Sequence, residues 1–188
     1  LNKKINDLNL IKSALEKKEE KFISIKIAKK GNALKLSKMA EKNAKEALTR
    51  KIFESETNIK LLDQVADKFK LNISPRIIEV YDNSHIQGTY SVGAFISFGV
   101  DGFVKKRYRK FNIKNVNLKG GDDYGMLKEV LERRFSKIIQ DKTQSDVIIP
   151  DLILIDGGKG QYSTSRKVLD DYGFHDIPII AIAKGKNR

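Results

Sequence analysis

Two short, largely apolar runs, each ending in an aspartate, constrain this chain more than any other feature. Residues 77–81 lead into Asp82, and residues 152–155 lead into Asp156. Runs of this kind, rich in isoleucine, valine and leucine, are typical of central strands that are buried on both faces. Open α/β sheets bind their ligands at the carboxyl ends of such strands. We therefore expect two carboxylates at one edge of a buried sheet.

The rest of the pattern from residue 73 onward predicts a specific strand order. Strands are predicted at 77–82, 89–100, 104–113, 152–156 and 177–183, and helices at 123–140 and 161–172. The Asp101-Gly102 pair is a strong hairpin signal between the second and third strands. The order β-β-β-α-β-α-β predicts a ribonuclease H-like mixed sheet of the α/β class, in which three antiparallel strands precede parallel strands reached through helices. Right-handed crossovers then place Asp82 and Asp156 at the same sheet edge.

Residues 1–72 form a different, mainly helical segment that precedes this domain. We predict a helix over 5–20, a strand over 22–27 where apolar and polar residues alternate, and then one long helix or two helices with a break near 55–58. Pro75 biases the residue before it away from helix, so the domain boundary is placed between 72 and 73. The predicted domains are therefore 1–72 and 73–188.

Composition narrows the class of partner. The net charge is +13 with 32% charged residues, which indicates a polyanion, and nucleic acid is the most common one. An anionic membrane surface is the alternative, but no apolar stretch approaches the roughly 20 residues that span a bilayer. We expect a cytoplasmic protein that does not bind membranes. The absence of cysteine excludes disulfides and cysteine-bound zinc.

The acidic residues are candidates for a metal site. Carboxylate oxygens are the ligands that Mg²⁺ and Mn²⁺ prefer, and such ions promote phosphodiester hydrolysis. Asp82 or Asp156 alone could equally cap a turn, whereas their paired placement favours a shared cation. Asp122 and Asp123 precede a predicted helix, so each is a candidate third acid or a helix N-cap.

Basic residues supply candidate phosphate contacts at two places. Lys159 lies in a glycine-rich turn before a helix, which suits a backbone phosphate but also suits a tight turn with a solvated lysine. The third predicted strand combines basic and aromatic residues, as in single-strand binding surfaces, although a charged edge strand that blocks aggregation has the same pattern. Its candidate DNA-binding residues are Lys106, Arg107, Arg109 and Lys110. His85 is a further candidate near Asp82, and His175 is expected at the surface.

Four segments together resemble the UvrC family, the nuclease components of the excinuclease ABC of bacterial nucleotide-excision repair. They are residues 78–88, 108–113, 121–124 and 154–161, the last of which reads Leu-Ile-Asp-Gly-Gly-Lys-Gly-Gln. The resemblance implies a ribonuclease H-like endonuclease that uses Mg²⁺ or Mn²⁺ to cut DNA on the 5′ side of a lesion. It further implies that Asp82 and Asp156 bind the metal and that Asp123 contributes to catalysis.

The same resemblance implies the partners and a missing part of the site. The partners are damaged double-stranded DNA and UvrB, another component of the excinuclease, which binds through a region outside this chain. The family's catalytic histidine is expected beyond Arg188, and neither His85 nor His175 matches it. We therefore expect weak activity from this chain alone. The alternative function is a non-catalytic nucleic-acid-binding module of a repair complex.

Overall fold

The computed structural model describes residues 1, 3–86, 90–114, 122–141 and 147–183. The helices are α1 (Leu8–Glu19), α2 (Gly31–Phe69), α3 (Asp123–Gln140) and α4 (Lys159–Asp171), with a 3₁₀ turn at Lys105–Arg107. The strands are β1 (Ile77–Ile86), β2 (Tyr90–Gly99), β3 (Gly102–Phe103), β4 (Arg109–Asn112), β5 (Leu152–Asp156) and β6 (Ile179–Ile182). The chain divides into two compact units, Leu1–Phe53 and Glu54–Arg188.

The first unit is helical and contains no strand among its described residues. The strand predicted over 22–27 is wrong. Alternation of apolar and polar residues is not sufficient, because a strand also needs a partner with which to exchange backbone hydrogen bonds. Here Leu1 exchanges backbone hydrogen bonds with Lys26 and Ala28, but no strand forms from this single-residue contact, and Phe22 is 85% exposed.

Helix α2 is continuous, so the alternative of two helices with a break near 55–58 does not apply. It contains no proline, and its only glycine, Gly31, is its first residue. The compact units divide inside this helix at Phe53 and Glu54, whereas the boundary predicted from sequence follows its end. Within the second unit, the C-terminal part of α2 buries Leu62 and Ala66.

The sheet confirms the predicted mixed α/β architecture. Its order is β3-β2-β1-β5-β6, with β4 also paired to β2. The pairs β1–β2, β2–β3 and β2–β4 are antiparallel, and the pairs β1–β5 and β5–β6 are parallel. The predicted third strand is interrupted, because the 3₁₀ turn at Lys105–Arg107 separates the short β3 from β4.

Apolar side chains cover both faces of this sheet. On one face, Tyr81 of β1 and Ile155 of β5 pack with the stripes of α3 and α4, including Leu131 and Leu169. On the other face, Ile78 and Leu152 pack with Leu62 of α2, in a smaller cluster. The two-residue period of each strand thus sends alternate residues into the two cores. None of the described helices is both long and apolar enough to cross a membrane.

A buried charge joins the sheet to α3 and to the 3₁₀ turn. Glu79 is completely buried, and its carboxylate accepts hydrogen bonds from Tyr81 at 2.7 Å and from Arg134 at 2.7 and 3.3 Å. Arg107 approaches the same carboxylate at 3.5 Å. We call these four residues the Glu79 cluster.

Each pKa shift in the Glu79 cluster follows from its surroundings. Burial, reinforced by the charge of Glu79, raises the pKa of Tyr81 well above its usual value. Burial lowers the pKa of Arg107, although Glu79 opposes the shift. At Arg134 burial acts in the same direction, but the hydrogen bonds and charge of Glu79 outweigh it and raise the pKa. Glu79 is therefore the group that makes it possible to bury both cations.

Replacing Glu79 by glutamine should destabilise the fold strongly. Glu79→Gln keeps the side-chain shape but leaves two largely buried guanidinium groups without a counter-charge, which costs about 3–5 kcal/mol in free energy of unfolding. Urea denaturation followed by circular dichroism measures this change. The matched control is Glu132→Gln, which removes a carboxylate paired with Lys128 on the exposed side of α3 and should cost at most about 1 kcal/mol. Equal costs for the two variants would show that the Glu79 cluster does not stabilise the fold.

Candidate active site

Two neighbouring strands bring the predicted acidic pair together. Strands β1 and β5 run parallel, and their last register partners are Tyr81 and Ile155. Asp82 and Asp156 are the next residue on each strand. Since neighbouring strands lie about 4.8 Å apart, the two aspartates are adjacent across the sheet.

Both carboxylates lie on the same face of the sheet. Val80 and Leu154, two residues before each aspartate, pack in the same apolar cluster against α2. Side chains two residues apart in a strand share a face, so Asp82 and Asp156 both follow that face. Both residues are exposed. The pair is therefore accessible from solvent at the point where the apolar cluster ends.

The sequence predicted that the first strand ends at Asp82, but the strand continues past it. Strand β1 continues to Ile86, because residues 82–86 keep their antiparallel register with β2 up to Tyr90. On its other side β1 loses its partner, since β5 ends at Asp156. Asp82 therefore occupies the position where β1 loses β5 as a neighbour and remains paired with β2.

The acids before α3 occupy separate positions. Asp122 is the N-cap of α3, and its side chain accepts a hydrogen bond from the backbone N–H of Gly125 at 2.9 Å. Asp123 lies in the first turn and is exposed, and its carbonyl accepts a hydrogen bond from the amide of Asn83 at 3.4 Å. Asn83 follows Asp82 on β1, and successive side chains of a strand point to opposite faces, so the first turn of α3 lies on the other face of the sheet from the acidic pair.

The described residues contain no cluster of three or more histidine, aspartate or glutamate side chains that could hold a metal. The structure thus brings Asp82 and Asp156 together and leaves Asp123 outside a three-carboxylate group. The side chain of His85 lies outside the described part of the structure. His175 is exposed and contacts Asp170 at 3.1 Å between α4 and β6. Arg166 and His175 together lower the pKa of Asp170, with Arg166 as the larger cause.

The glycine-rich turn after β5 connects the acidic pair to α4. The backbone N–H of Gly157 donates to the carbonyl of Ile182 at 3.0 Å, and Gly158 is the N-cap of α4, its own N–H bonded to the side chain of Gln161. Lys159 is exposed in the first turn of α4. This lysine therefore follows Asp156 by three residues, next to a helix N-terminus.

Glycine at position 160 allows α4 to pack closely against α3. A Cβ there would lie 2.4 Å from the ring of Tyr124. Tyr124 follows Asp123 in the first turn of α3. The first turns of α3 and α4, which carry Asp123 and Lys159, thus lie in direct contact.

The four DNA-binding candidates predicted in the third strand differ in their exposure to solvent. Lys106, Arg109 and Lys110 are exposed, whereas the side chain of Arg107 is 13% exposed and is bound to Glu79. Lys110 pairs with Ala94 on β2, and Ala94 pairs with Asp82 on β1, so a single row crosses three strands. The row places Lys110 at roughly 10 Å from Asp82 along the sheet.

Sequence reasoning missed the basic residues of α3. Arg133, Arg134 and Lys137 border the space next to β4. The pair Arg133-Arg134, directly before the core residue Phe135, could have indicated them. A helix position next to the apolar stripe holds its side chain close to the sheet. Their partners on β1 and β4 are distant in sequence and could not be read from it.

Comparisons with known proteins agree with this architecture. The family profile described as "UvrC RNAse H endonuclease domain" matches residues 66–188, and that described as "UvrC Ribonuclease H-like domain" matches residues 1–51. The UvrABC system protein C of Ruegeria sp. (strain TM1040) is 44% identical over 189 residues, which cover 100% of this chain and 30% of that relative. That of Caulobacter vibrioides is 45% identical over 180 residues, which cover 95% of this chain and 28% of that relative.

The chain thus spans about 30% of the length of these curated relatives. Among solved structures, human ENDOV matches with a TM-score of 0.41 and 14% identity, over 61% of this chain and 48% of that one. A score this low does not bear on the assignment, which depends on the two family profiles and on the sheet order. The chain belongs to the UvrC family, of which it carries the ribonuclease H-like endonuclease domain.

Proposed function

We propose that this chain carries the nuclease site of a UvrC-type DNA-repair excinuclease, which makes the 5′ incision in a damaged strand by metal-assisted phosphodiester hydrolysis. The observation that supports the proposal is the adjacency of Asp82 and Asp156 on one face of the sheet, within the domain that matches the family. Like charges directly opposite on neighbouring strands destabilise the pair, and a cation bound between them would relieve that repulsion.

The donor set fits Mg²⁺ or Mn²⁺. Both ions are hard cations that bind carboxylate oxygens and keep several waters or phosphate oxygens as further ligands, so two protein carboxylates are enough. Asp82 and Asp156 would hold the ion, and both are accessible to solvent and therefore to DNA. A divalent cation bound there supplies neutralisation of the phosphate charge and promotes attack by water.

The remaining residues have supporting roles in this proposal. Asp123, whose carbonyl accepts a hydrogen bond from Asn83 on β1, adds negative charge on the α3 side of the strand that carries Asp82. Lys159, Lys106, Arg109 and Lys110 provide exposed positive charge for backbone phosphates. The sequence also predicts that Arg107 contacts DNA. Arg107 is bound to Glu79, so it would act on a phosphate through the net charge of the Glu79 cluster and not by direct contact.

The proposed partners are damaged double-stranded DNA and the excinuclease component UvrB, the latter through a region outside this chain, and the proposed location is the cytoplasm. The relatives are named as the C protein of the UvrABC system, which supports assembly with the other components of that system. The chain covers about 30% of those relatives, and in this proposal the residues that bind UvrB lie outside it.

Removing either aspartate should weaken metal binding. Asp82→Asn and Asp156→Asn each replace one of two anionic ligands by a neutral amide, so we expect the affinity for Mn²⁺ to fall at least about tenfold in each variant. Titration of Mn²⁺ followed by electron paramagnetic resonance measures it. Asp176→Asn, which removes an exposed acid in the α4–β6 connection, is the control and should leave the affinity unchanged. Unchanged affinity in both site variants would refute a shared metal site.

Nicking should depend on the same carboxylates while DNA binding does not. With Mn²⁺ and excess protein over a lesion-containing duplex, we expect slow nicking by this chain, far below the rate of a full-length relative such as the Caulobacter vibrioides protein. Asp82→Asn should abolish the nicking and leave the DNA affinity within about twofold, because it adds no repulsion to phosphate. Nicking that persists in Asp82→Asn would reject the proposed site. DNA binding by a wild-type chain that neither nicks nor binds Mn²⁺ would instead support the non-catalytic binding module.

A further inference from the structure

A basic cleft lies between β4 and the C-terminal half of α3, apart from the acidic pair. Its volume is about 490 Å³. Six cationic side chains border it, together with one acid and several apolar residues. The cations are Arg107, Arg109, Lys110, Arg133, Arg134 and Lys137. We propose that this basic cleft binds the sugar–phosphate backbone of the DNA, on the face of the sheet that packs against α3.

The cleft holds more positive charge than its carboxylates can offset. Glu79 faces Arg107 and Arg134, Glu129 pairs with Arg133 at 3.2 Å, and Asp141 is the acid that borders the cleft. Among the described residues, three carboxylates thus stand against six cations. The excess favours an anion of several charges over a single neutral or cationic ligand.

The guanidinium groups at the cleft are held in place before any ligand arrives. Arg133 donates to the carbonyl of Asn112 at 2.8 Å and lies over the ring of Phe111 at 5.1 Å. Arg109 donates to the carbonyls of Lys106 and Tyr108 at 2.9 and 2.8 Å. Backbone carbonyls leave the positive charge of Arg109 uncompensated while fixing its fork. Planar, preorganised forks of this kind suit phosphate oxygens.

The buried side of the cleft carries two guanidinium groups but one carboxylate. Arg107 and Arg134 share the single carboxylate of Glu79, and both also donate to the carbonyl of Ile148. One nitrogen of Arg107, Nη1, is buried without a hydrogen-bond partner among the described residues. A buried excess cation is costly, and an anion in the cleft offsets this cost through the low-dielectric protein.

The cleft and the acidic pair lie on opposite faces of the sheet. Arg109 pairs with Phe95 and Phe95 with Tyr81, whose side chain packs with α3. Asp82 instead shares the face of Val80, towards α2. The backbone held in the cleft would therefore not pass directly over the acidic pair. The identification of the anion as DNA rests on the proposed function, whereas the excess of positive charge does not.

The test is the salt dependence of DNA binding. The double variant Arg109→Ala/Lys137→Ala removes two cleft cations that have no carboxylate partner in the described structure. For an undamaged duplex of about 30 base pairs, followed by fluorescence anisotropy between about 50 and 200 mM salt, we expect the slope of log K against log salt to fall in magnitude by about 0.9 for each lost phosphate contact. The affinity should fall about tenfold or more at the lower salt.

Matched controls separate this site from general charge and from folding. Lys60→Ala/Lys167→Ala removes two exposed lysines on α2 and α4, outside the cleft, and should change the slope by less than half as much. Lys137→Ala alone leaves the hydrogen bonds of Arg109 intact and should still reduce the slope by about 0.9. Equal losses in the cleft and control variants would overturn the proposal.

Two further measurements distinguish an error in the assignment of the cleft from an error in the proposed function. The cleft variant should bind Mn²⁺ as the unaltered chain does, since the acidic pair is intact. Loss of metal binding by Asp82→Asn with a normal slope supports both assignments. A polyglutamate peptide that competes with the duplex at equal charge, and loses its binding in the cleft variant, would assign the cleft to an acidic protein partner and overturn its assignment to DNA.

Discussion

The parallel pairing of β1 with β5 is the constraint on which the candidate site depends. A parallel pair has no local turn to hold it, so its register is set by side chains that fill both faces. Ile78 and Leu152 pack on one face, and Tyr81 and Ile155 on the other. A shift of one residue would move every one of these side chains to the wrong face and would separate the two aspartates that follow. The acidic pair is thus positioned by apolar packing, not by any attraction between its members, which repel each other.

The Glu79 cluster adds a polar constraint to the same strand. Glu79 lies three residues before Asp82, and its carboxylate ties β1 to Arg134 of α3 and to Arg107 of the 3₁₀ turn. A buried ion pair is weak evidence for net stability, because desolvation offsets much of the attraction. Its effect here is geometric: a bidentate contact accepts little change in distance or angle, so it fixes where α3 and the start of β4 lie relative to the strand that carries the acid.

Local pattern predicted most of the second unit, and long-range pairing accounts for what it missed. The apolar runs before Asp82 and Asp156, the Asp101-Gly102 turn and the apolar stripe of α3 were all legible, because each depends on residues close in sequence. The strand predicted over 22–27 failed because period-two alternation says nothing about a partner. Arg107 looked like a surface residue in a basic strand, yet its carboxylate partner is 28 residues away on β1. No rule based on spacing reveals such a pair.

Electrostatics explains why acids and cations alternate around this domain. A pair of exposed carboxylates repels the phosphate that a nuclease must approach, and one divalent ion removes that repulsion only at short range. Lys110 lies within roughly one Debye length, about 10 Å at 0.1 M salt, of Asp82 along the sheet, and would offset part of that repulsion. Arg107 and Arg134 are largely buried against Glu79, which follows from the weaker hydration of guanidinium. Arg109, Lys110 and Lys137 are exposed. Burial thus separates the cations that stabilise the fold from those that remain accessible to solvent.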